Sequence, residues 1–269
     1  MRIDYHTHHN RCGHAQGTLR DMIQAAIEMG IDQLGLSDHS PHFFREQEHF
    51  DPRSAMARSE FPNYIAECVA LRDEFAGQID IRIGVESDYI AGWAERYHQI
   101  YNQFSLDYII GSVHLFDGHH VYSRQRWEEP GADPDEIYKA YFRHVQESTR
   151  YAHCWDIIGH CDAVKALKRR PNGDLTAVLD ETAQAIARSG LTVELNTSGM
   201  RKCQEVFPSP DMVARLHRLG VTFTFGSDAH SPQELMHEWE HVLDLLKQVG
   251  VREMATFKGR RRTLVPIPF

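Results

Sequence analysis

The chain has 269 residues, a formal net charge of −9, 42% hydrophobic and 10% aromatic residues, and five cysteines at positions 12, 68, 154, 161 and 203. This composition is ordinary for a globular protein with a sizeable core, and the acidic balance argues against a nucleic-acid partner held by bulk electrostatics. No run of 18 apolar residues offers a membrane span, the start MRIDYHTHHN lacks the apolar stretch of an export signal, and scattered cysteines without a CxxC pair suit buried small hydrophobes in a reducing cytoplasm.

Short β-branched runs alternate with longer amphipathic stretches. The first run, Arg2–His6, precedes a predicted helix over Leu19–Met29, with Thr18 as N-cap, Asp21 three residues on and Gly30 as the stop. Gln33–Ser37 leads to a helix over Ser59–Phe75, Ile79–Val85 to one over Gly92–Phe104, and Leu106–Ser112 to one over Pro134–Tyr151. Trp155–Gly159 precedes a helix over Leu175–Ser189, Leu191–Asn196 one over Pro210–Leu219, and Val221–Gly226 one over Pro232–Val249. Seven strands alternating with seven helices imply parallel pairing through helical crossovers. An open doubly wound sheet fits the same pattern, but no GxGxxG follows the first strand, so an α/β barrel is preferred. No linker, repeat or low-complexity segment divides the chain, and residues 1–269 are read as a single domain. The basic run Lys258–Arg262 reads as a solvated surface segment.

The chemistry collects at the strand ends. The first strand ends in Asp4-Tyr5-His6-Thr7-His8, the second in Ser37-Asp38-His39, the third in Gly84-Val85-Glu86 and the fourth in Ser112-Val113-His114. The fifth ends in Gly159-His160-Cys161-Asp162 and the seventh in Gly226-Ser227-Asp228-Ala229-His230. In a parallel barrel these C-terminal ends converge on one mouth, whereas core packing asks for no polar residues there. His6 and His8, two apart on an extended strand, point the same way and can face one metal. Imidazole and carboxylate ligands suit Zn, Fe or Mn, and a carboxylate can bridge two ions. Asp4, Asp38 and Asp162 are open to a supporting role, orienting an imidazole or structuring a loop. Spacing alone leaves His14, in the loop after the first strand, undecided. The other histidines, at 9, 42, 49, 98, 119, 120, 144, 153, 217, 237 and 241, are read as surface or internally satisfied side chains.

HTHH near the N-terminus, SDHS, the Glu after the third strand, SVH, GHCD and GSDAH together resemble, in order and spacing over nearly the whole chain, the PHP (polymerase and histidinol phosphatase) family. GSVHLFDG, DEIYKAYFRHV, WDIIGHCD, ELNTSGMRK and VFPSPDMV are similar to its histidinol-phosphate phosphatase branch. The resemblance implies a distorted (β/α)7 TIM-like barrel with three metal ions at the C-terminal ends of the strands. By the same resemblance His6, His8, Glu86 and Asp228 bind the first ion. Glu86 bridges to a second, held also by His114 and His160, and His14, His39 and His230 bind the third. The implied substrate is L-histidinol phosphate, giving L-histidinol and phosphate in histidine biosynthesis.

A phosphate monoester is a dianion that repels nucleophiles. Metal ions offset its charge and acidify water, so attack by a metal-activated hydroxide in line with the leaving alkoxide is expected. Arg201, after the sixth strand, is the expected cation for the phosphoryl oxygens, since its planar fork can take two of them; Ser198 is a further expected phosphate contact. Asp38, Asp162 or a water supplies the leaving-group proton, and the residues do not choose among them. The loop carrying His119, His120, Tyr122, Ser123 and Arg124 has no clear counterpart in the family. Two other readings compete: a PHP phosphoesterase acting on nucleotides, sugar phosphates or nucleic-acid ends, and a non-catalytic metal-binding module. A degenerate module would have lost ligands at some strand ends, which this sequence has not.

Overall fold

The computed structural model describes residues 1–47 and 54–269; His49 lies outside the described residues. β1 (Ile3–Asp4), β2 (Gln33–Leu36) and β3 (Asp80–Ile83) form a parallel sheet in that order. After β4 (Glu86–Asp88) and β5 (Ile110–Ser112) comes an antiparallel hairpin of β6 (Leu115–Phe116) and β7 (His119–His120). β8 (Ile157–Ile158), β9 (Thr192–Asn196) and β10 (Phe223–Gly226) complete a second parallel sheet in the order β10-β9-β8-β5-β4. The chain ends in an antiparallel hairpin of β11 (Glu253–Lys258) and β12 (Arg261–Pro266). The helices are α1 (Leu19–Glu28), α2 (Glu60–Glu74), α3 (Ala94–Tyr101), α4 (Gln125–Glu128), α5 (Pro134–Ser148), α6 (Thr176–Ser189), α7 (Ser198–Cys203), α8 (Pro210–Arg218) and α9 (Trp239–Val249).

The two sheets are joined at their edges by backbone bonds beside the polar strand ends. Tyr5 N–H donates to Phe225 O at 3.0 Å and His8 N–H to Ala229 O at 2.8 Å, with a parallel bridge between Thr7 and Ala229. On the other edge Glu86 N–H donates to Ser37 O at 2.9 Å and Ser40 N–H to Glu86 O at 2.8 Å, around a parallel His39–Glu86 bridge. These bonds hold the ends of β1, β2, β4 and β10 together although sequence separates them widely.

Most predicted elements form near their predicted bounds. Thr18 and Asp21 make the reciprocal capping box, and Gly30 follows the α1 C-cap at φ +67°. Two predictions are corrected. The run Ile79–Val85 stops at Ile83, and Glu86 opens a separate strand that pairs with β5. The helix over Pro232–Val249 is a 3-10 turn at Pro232–Glu234 and then α9, because Met236 and Glu238 take positive φ and break the helical path. The hairpin β11–β12 and the short α7 went unpredicted. The basic run is largely exposed, as expected, but it also anchors its hairpin: Gly259 N–H donates to Asp107 Oδ1 at 2.9 Å, and Arg262 donates to Gly190 O at 2.8 Å. All five cysteines are buried and unpaired. Among the described residues no helix is long and apolar enough to cross a membrane.

Aromatic packing supports the polar ends from within. Tyr108, fully buried, donates its hydroxyl to Tyr5 O at 2.6 Å, and its ring meets Tyr5 edge-on at 4.7 Å. Gly35 and Gly84 make room for it. A Cβ on Gly35 would stand 2.8 Å from Tyr5 Cα and against the Tyr108 hydroxyl, and one on Gly84 would lie 2.6 Å from both Tyr108 Cε atoms and closer still to its Cζ. Overpacking a filled core costs about 1–3 kcal/mol. Gly35→Ala is therefore expected to lower unfolding free energy by about that amount in denaturant titration; an unchanged midpoint and slope would contradict the close contact.

Candidate metal centre

Glu86 stands at the middle of the site, 2% exposed. Its Oε2 lies 2.7 Å from His39 Nδ1, 3.3 Å from His6 Nε2 and 3.6 Å from His8 Nε2. Its Oε1 lies 2.9 Å from His160 Nε2 and 3.5 Å from His114 Nε2, and accepts from Ser112 Oγ at 2.7 Å. Asp228 Oδ1 is 3.1 Å from His8 Nε2, 3.5 Å from His230 Nδ1 and 3.8 Å from His6 Nε2. His14 joins from its loop, with Nε2 2.9 Å from His230 Nε2. Seven imidazoles and two carboxylates drawn from six strand ends thus meet in one place.

An outer ring of carboxylates fixes several of these imidazoles. His6 Nδ1 pairs with Glu194 Oε1 at 2.5 Å, His8 Nδ1 with Asp38 Oδ1 at 3.1 Å, and His114 Nδ1 with Asp88 Oδ1 at 2.6 Å. With Nδ1 so engaged, each Nε2 faces inward, the orientation that prepares a histidine for a metal. His6 Nε2, His8 Nε2 and Glu86 Oε2 are buried, and their close contacts are not aligned as hydrogen bonds. Buried polar atoms are seldom left so, and a cation would satisfy all three. Four groups at or beside the centre have ligand atoms within 4.8 Å of one another: His6, His8 and Asp228; His39, Glu86 and His114; His8, His39 and His230; and, behind His8, His8, Cys12 and Asp38. These residues could hold metal ions. The groupings differ from those the resemblance implies in sharing His8 and His39, while His14 and His160 flank them.

The electrostatics are those of a cation site filled by protons. Burial lowers the pKa of His6, but the Glu194, Glu86 and Asp228 carboxylates outweigh it and hold the ring well above its usual value. His114, buried too, is raised to about 9 by Glu86 and Asp88. Burial opposes ionisation of Glu86, yet His6, His114 and His39 keep it well below the carboxylate range. Burial and the neighbouring His8 charge bring His39 down to about 4 and His230 to about 2.

Backbone and small residues set the outer geometry. Asp228 adopts φ +52°, a left-handed conformation that costs a non-glycine residue energy and persists only where its surroundings hold it. Arg201 donates to Asp228 O at 3.0 Å, and Asp4 Oδ1 accepts from Ser227 N–H at 2.9 Å. Gly226 is required because a Cβ there would stand 2.6 Å from His6 Cβ and against Glu194.

Several nominated residues make contacts away from the pocket. Asp4 touches no imidazole; burial raises it to about 6 while it accepts from the backbone of Ser227 and, at 3.0 Å, Met236. Asp38 is fully buried behind His8, holding its Nδ1 at 3.1 Å, with its second oxygen 2.9 Å from His9 Nδ1. Asp162 is buried against Lys165 Nζ at 2.7 Å and Ser209 N–H at 2.7 Å. The Ser198 hydroxyl is engaged by Asn196 Oδ1 and Asp228 Oδ2, at 2.7 and 2.8 Å. Arg201 does line the mouth, a pocket of about 520 Å³ shared with His14, His39, His114, Asp228 and His230.

The same pocket holds Asp88 and Lys202, which the sequence reading did not nominate, His42 and His120, read there as surface or internally satisfied, and Tyr122, from the loop left open. His120 stacks on His114, with ring centres 5.6 Å apart and planes 5° apart. Lys202 Nζ lies 2.9 Å from Ser198 Oγ, 3.5 Å from Asp228 Oδ2 and 5.0 Å above the Tyr122 ring. His9 is internally satisfied, buried on Asp38. Two signals were available: Glu194 is a charge inside an otherwise buried strand, and Asp88 follows Glu86 at the two-residue spacing of one strand face. No local pattern marks the loop that brings His120 and Tyr122 to the mouth.

The PHP domain model matches residues 4–198. The chain is 33% identical over 264 residues to a Deinococcus radiodurans protein named "Probable histidinol-phosphatase", covering 96% of this chain and 97% of that one. It is 26% identical to the histidinol-phosphatase of Bacillus subtilis, covering 90% and 98%. Its fold is similar to the crystal structure of histidinol phosphate phosphatase from Lactococcus lactis complexed with zinc, L-histidinol and phosphate, with a TM-score of 0.81, 23% identity and coverage of 97% and 98%.

The raised pKa values of His6 and His114 mean that the metal-free centre carries protons on ligand nitrogens at neutral pH. A metal must displace them. Calorimetric titration of metal-free protein at pH 7, in buffers of different ionisation enthalpy, is expected to show net proton release; a heat independent of the buffer would contradict this charge pattern.

Proposed function

The chain belongs to the PHP domain family, and on that premise we propose that it is a metal-dependent phosphoric monoester hydrolase converting L-histidinol phosphate to L-histidinol and phosphate, a step of histidine biosynthesis. The observation that carries this reading is the Glu86 carboxylate enclosed by five imidazoles beneath a pocket with Arg201 and Lys202 on its wall. The relatives named for this reaction span nearly the whole chain. The buried, unpaired cysteines suit a cytoplasmic setting for such a biosynthetic enzyme. We also read the two parallel sheets as a distorted (β/α)7 barrel in one domain over 1–269; the Thr7–Ala229 and His39–Glu86 bridges between the sheets support this.

The proposed ligands are His6, His8, His14, His39, Glu86, His114, His160, Asp228 and His230, for three ions drawn from Zn, Fe and Mn. When bound, such ions supply positive charge for the phosphoryl oxygens and acidify water near the phosphorus. The chain's residues do the rest. Glu194, Asp38 and Asp88 hold the Nδ1 atoms of His6, His8 and His114, so that each Nε2 is aimed inward. Arg201 and Lys202 draw the phosphate dianion to the mouth and offset charge that builds on its oxygens. Ser198 acts through others, steadying Lys202 and the Asp228 carboxylate. Asp38 and Asp162 are proposed as positioning residues, since each is buried on other partners and neither lines the pocket.

Phosphate release should be measured from metal-reconstituted protein on a panel of histidinol phosphate, nucleotides and sugar phosphates. Turnover of histidinol phosphate well above the others is expected, and strong nucleotide turnover with none of histidinol phosphate would overturn the substrate. On the favoured substrate, Arg201→Ala is expected to lower kcat/KM by roughly 10²-fold, the scale for losing an oxyanion partner. Unchanged kinetics would remove Arg201 from the site.

A further inference from the structure

A second cluster of metal-ligating side chains lies away from the pocket. Glu95 and His98 are three residues apart on α3, and so share a helix face. His153 and Cys154 follow the 3-10 turn Thr149–Tyr151 that leads toward β8. Glu95 Oε1 is 2.8 Å from His153 Nε2, and one ligand atom from each of Glu95, His153 and Cys154 falls within 4.8 Å of the others. The His98 ring meets His153 edge to face, with centres 5.2 Å apart, and its Nδ1 is buried without a hydrogen-bond partner. Cys154 is buried and forms no disulfide. None of the four lines the mouth pocket.

We propose that Glu95, His153 and Cys154, flanked by His98, form a separate site for a divalent d-block cation of the zinc class, which clips α3 to the chain entering β8. One thiolate, one imidazole and one carboxylate are a donor set zinc accepts, with water or His98 in the fourth position. Ligand bonds of about 2.0–2.3 Å on a tetrahedron put donor atoms roughly 3.3–3.8 Å apart, so the Glu95–His153 contact must open by about half an ångström. Both side chains are more than half exposed and can move that far.

Burial pushes the Cys154 thiol up to about 12, so it is protonated in the metal-free chain. Binding then forms the sulfur–metal bond, breaks the S–H bond and releases that proton to solvent. Burial, with His153 and Arg260 beside it, keeps His98 below its usual pKa and its ring neutral. Arg260, which donates to Cys154 O at 3.2 Å, is ion-paired with Asp156, which offsets its charge.

Cobalt(II) titration of the metal-free full chain separates this site from the strand-end centre. The ligands proposed for that centre carry only nitrogen and oxygen donors, so a sulfur-to-cobalt charge-transfer band reports a cysteine ligand. The band is expected in the unmodified chain and in Cys12→Ser, and is expected to vanish in Cys154→Ser. The surface changes His153→Ala and Glu95→Gln leave the core untouched; each is expected to weaken cobalt binding at this band by about tenfold or more, with phosphatase activity unchanged. The proposal is overturned by a saturated chain without the band, by a band that survives Cys154→Ser, or by unaltered affinity in both surface variants.

Discussion

A carboxylate removed from water must find positive charge, or it takes up a proton. Glu86 is buried to 2% exposure and stays ionised because five imidazoles close around it. The ends of β1, β2, β4, β5 and β8 must come together for that to happen, so the arrangement of the parallel strands and the charge of one side chain are the same constraint. Protons on His6 and His114 meet part of the need in the metal-free chain. The Nε2 atoms of His6 and His8 and the Glu86 Oε2, buried without an aligned hydrogen bond, show where cations would meet it better.

Two further layers keep that assembly in register. Glu194 accepts from His160 N–H at 3.0 Å while pairing with His6, so one carboxylate from β9 couples the ends of β1 and β8. Asp4 couples β1 to the turn after β10 through the backbone of Ser227 and Met236. The left-handed φ of Asp228 is tolerated because Arg201 and Ser198 grip its carbonyl and its carboxylate. Arg201, which lines the pocket, thus also holds the Asp228 loop in place.

The sequence was most legible where a single local rule governs. The Thr18–Asp21 box, the alternation of strands and helices, and the polar strand ends all follow from spacing, and each nominated strand-end ligand lies at the centre. Legibility failed where one residue type has several uses. Asp38 and Asp162 look alike in sequence, an acid beside a strand-end histidine, but one is buried under His8 and the other on Lys165. His9 and His120 carry no periodic signal, and only the path of their loops brings one to Asp38 and the other to His114. The helix predicted over Pro232–Val249 failed because an apolar period continues through residues whose backbone turns left-handed at Met236 and Glu238. The hairpin after α9 was missed because its alternation includes the basic run, which reads as a solvated segment until Asp107 and Gly190 are seen to receive it.

The central claim is that the Glu86 carboxylate is the shared ligand of the bound ions. Anomalous diffraction at the metal absorption edges, on crystals of the metal-loaded protein, tests it directly. Peaks at coordination distance from both Glu86 oxygens, one toward His6, His8 and Asp228 and one toward His114 and His160, are the predicted result. Peaks elsewhere on the chain, with none within coordination distance of Glu86, would contradict it.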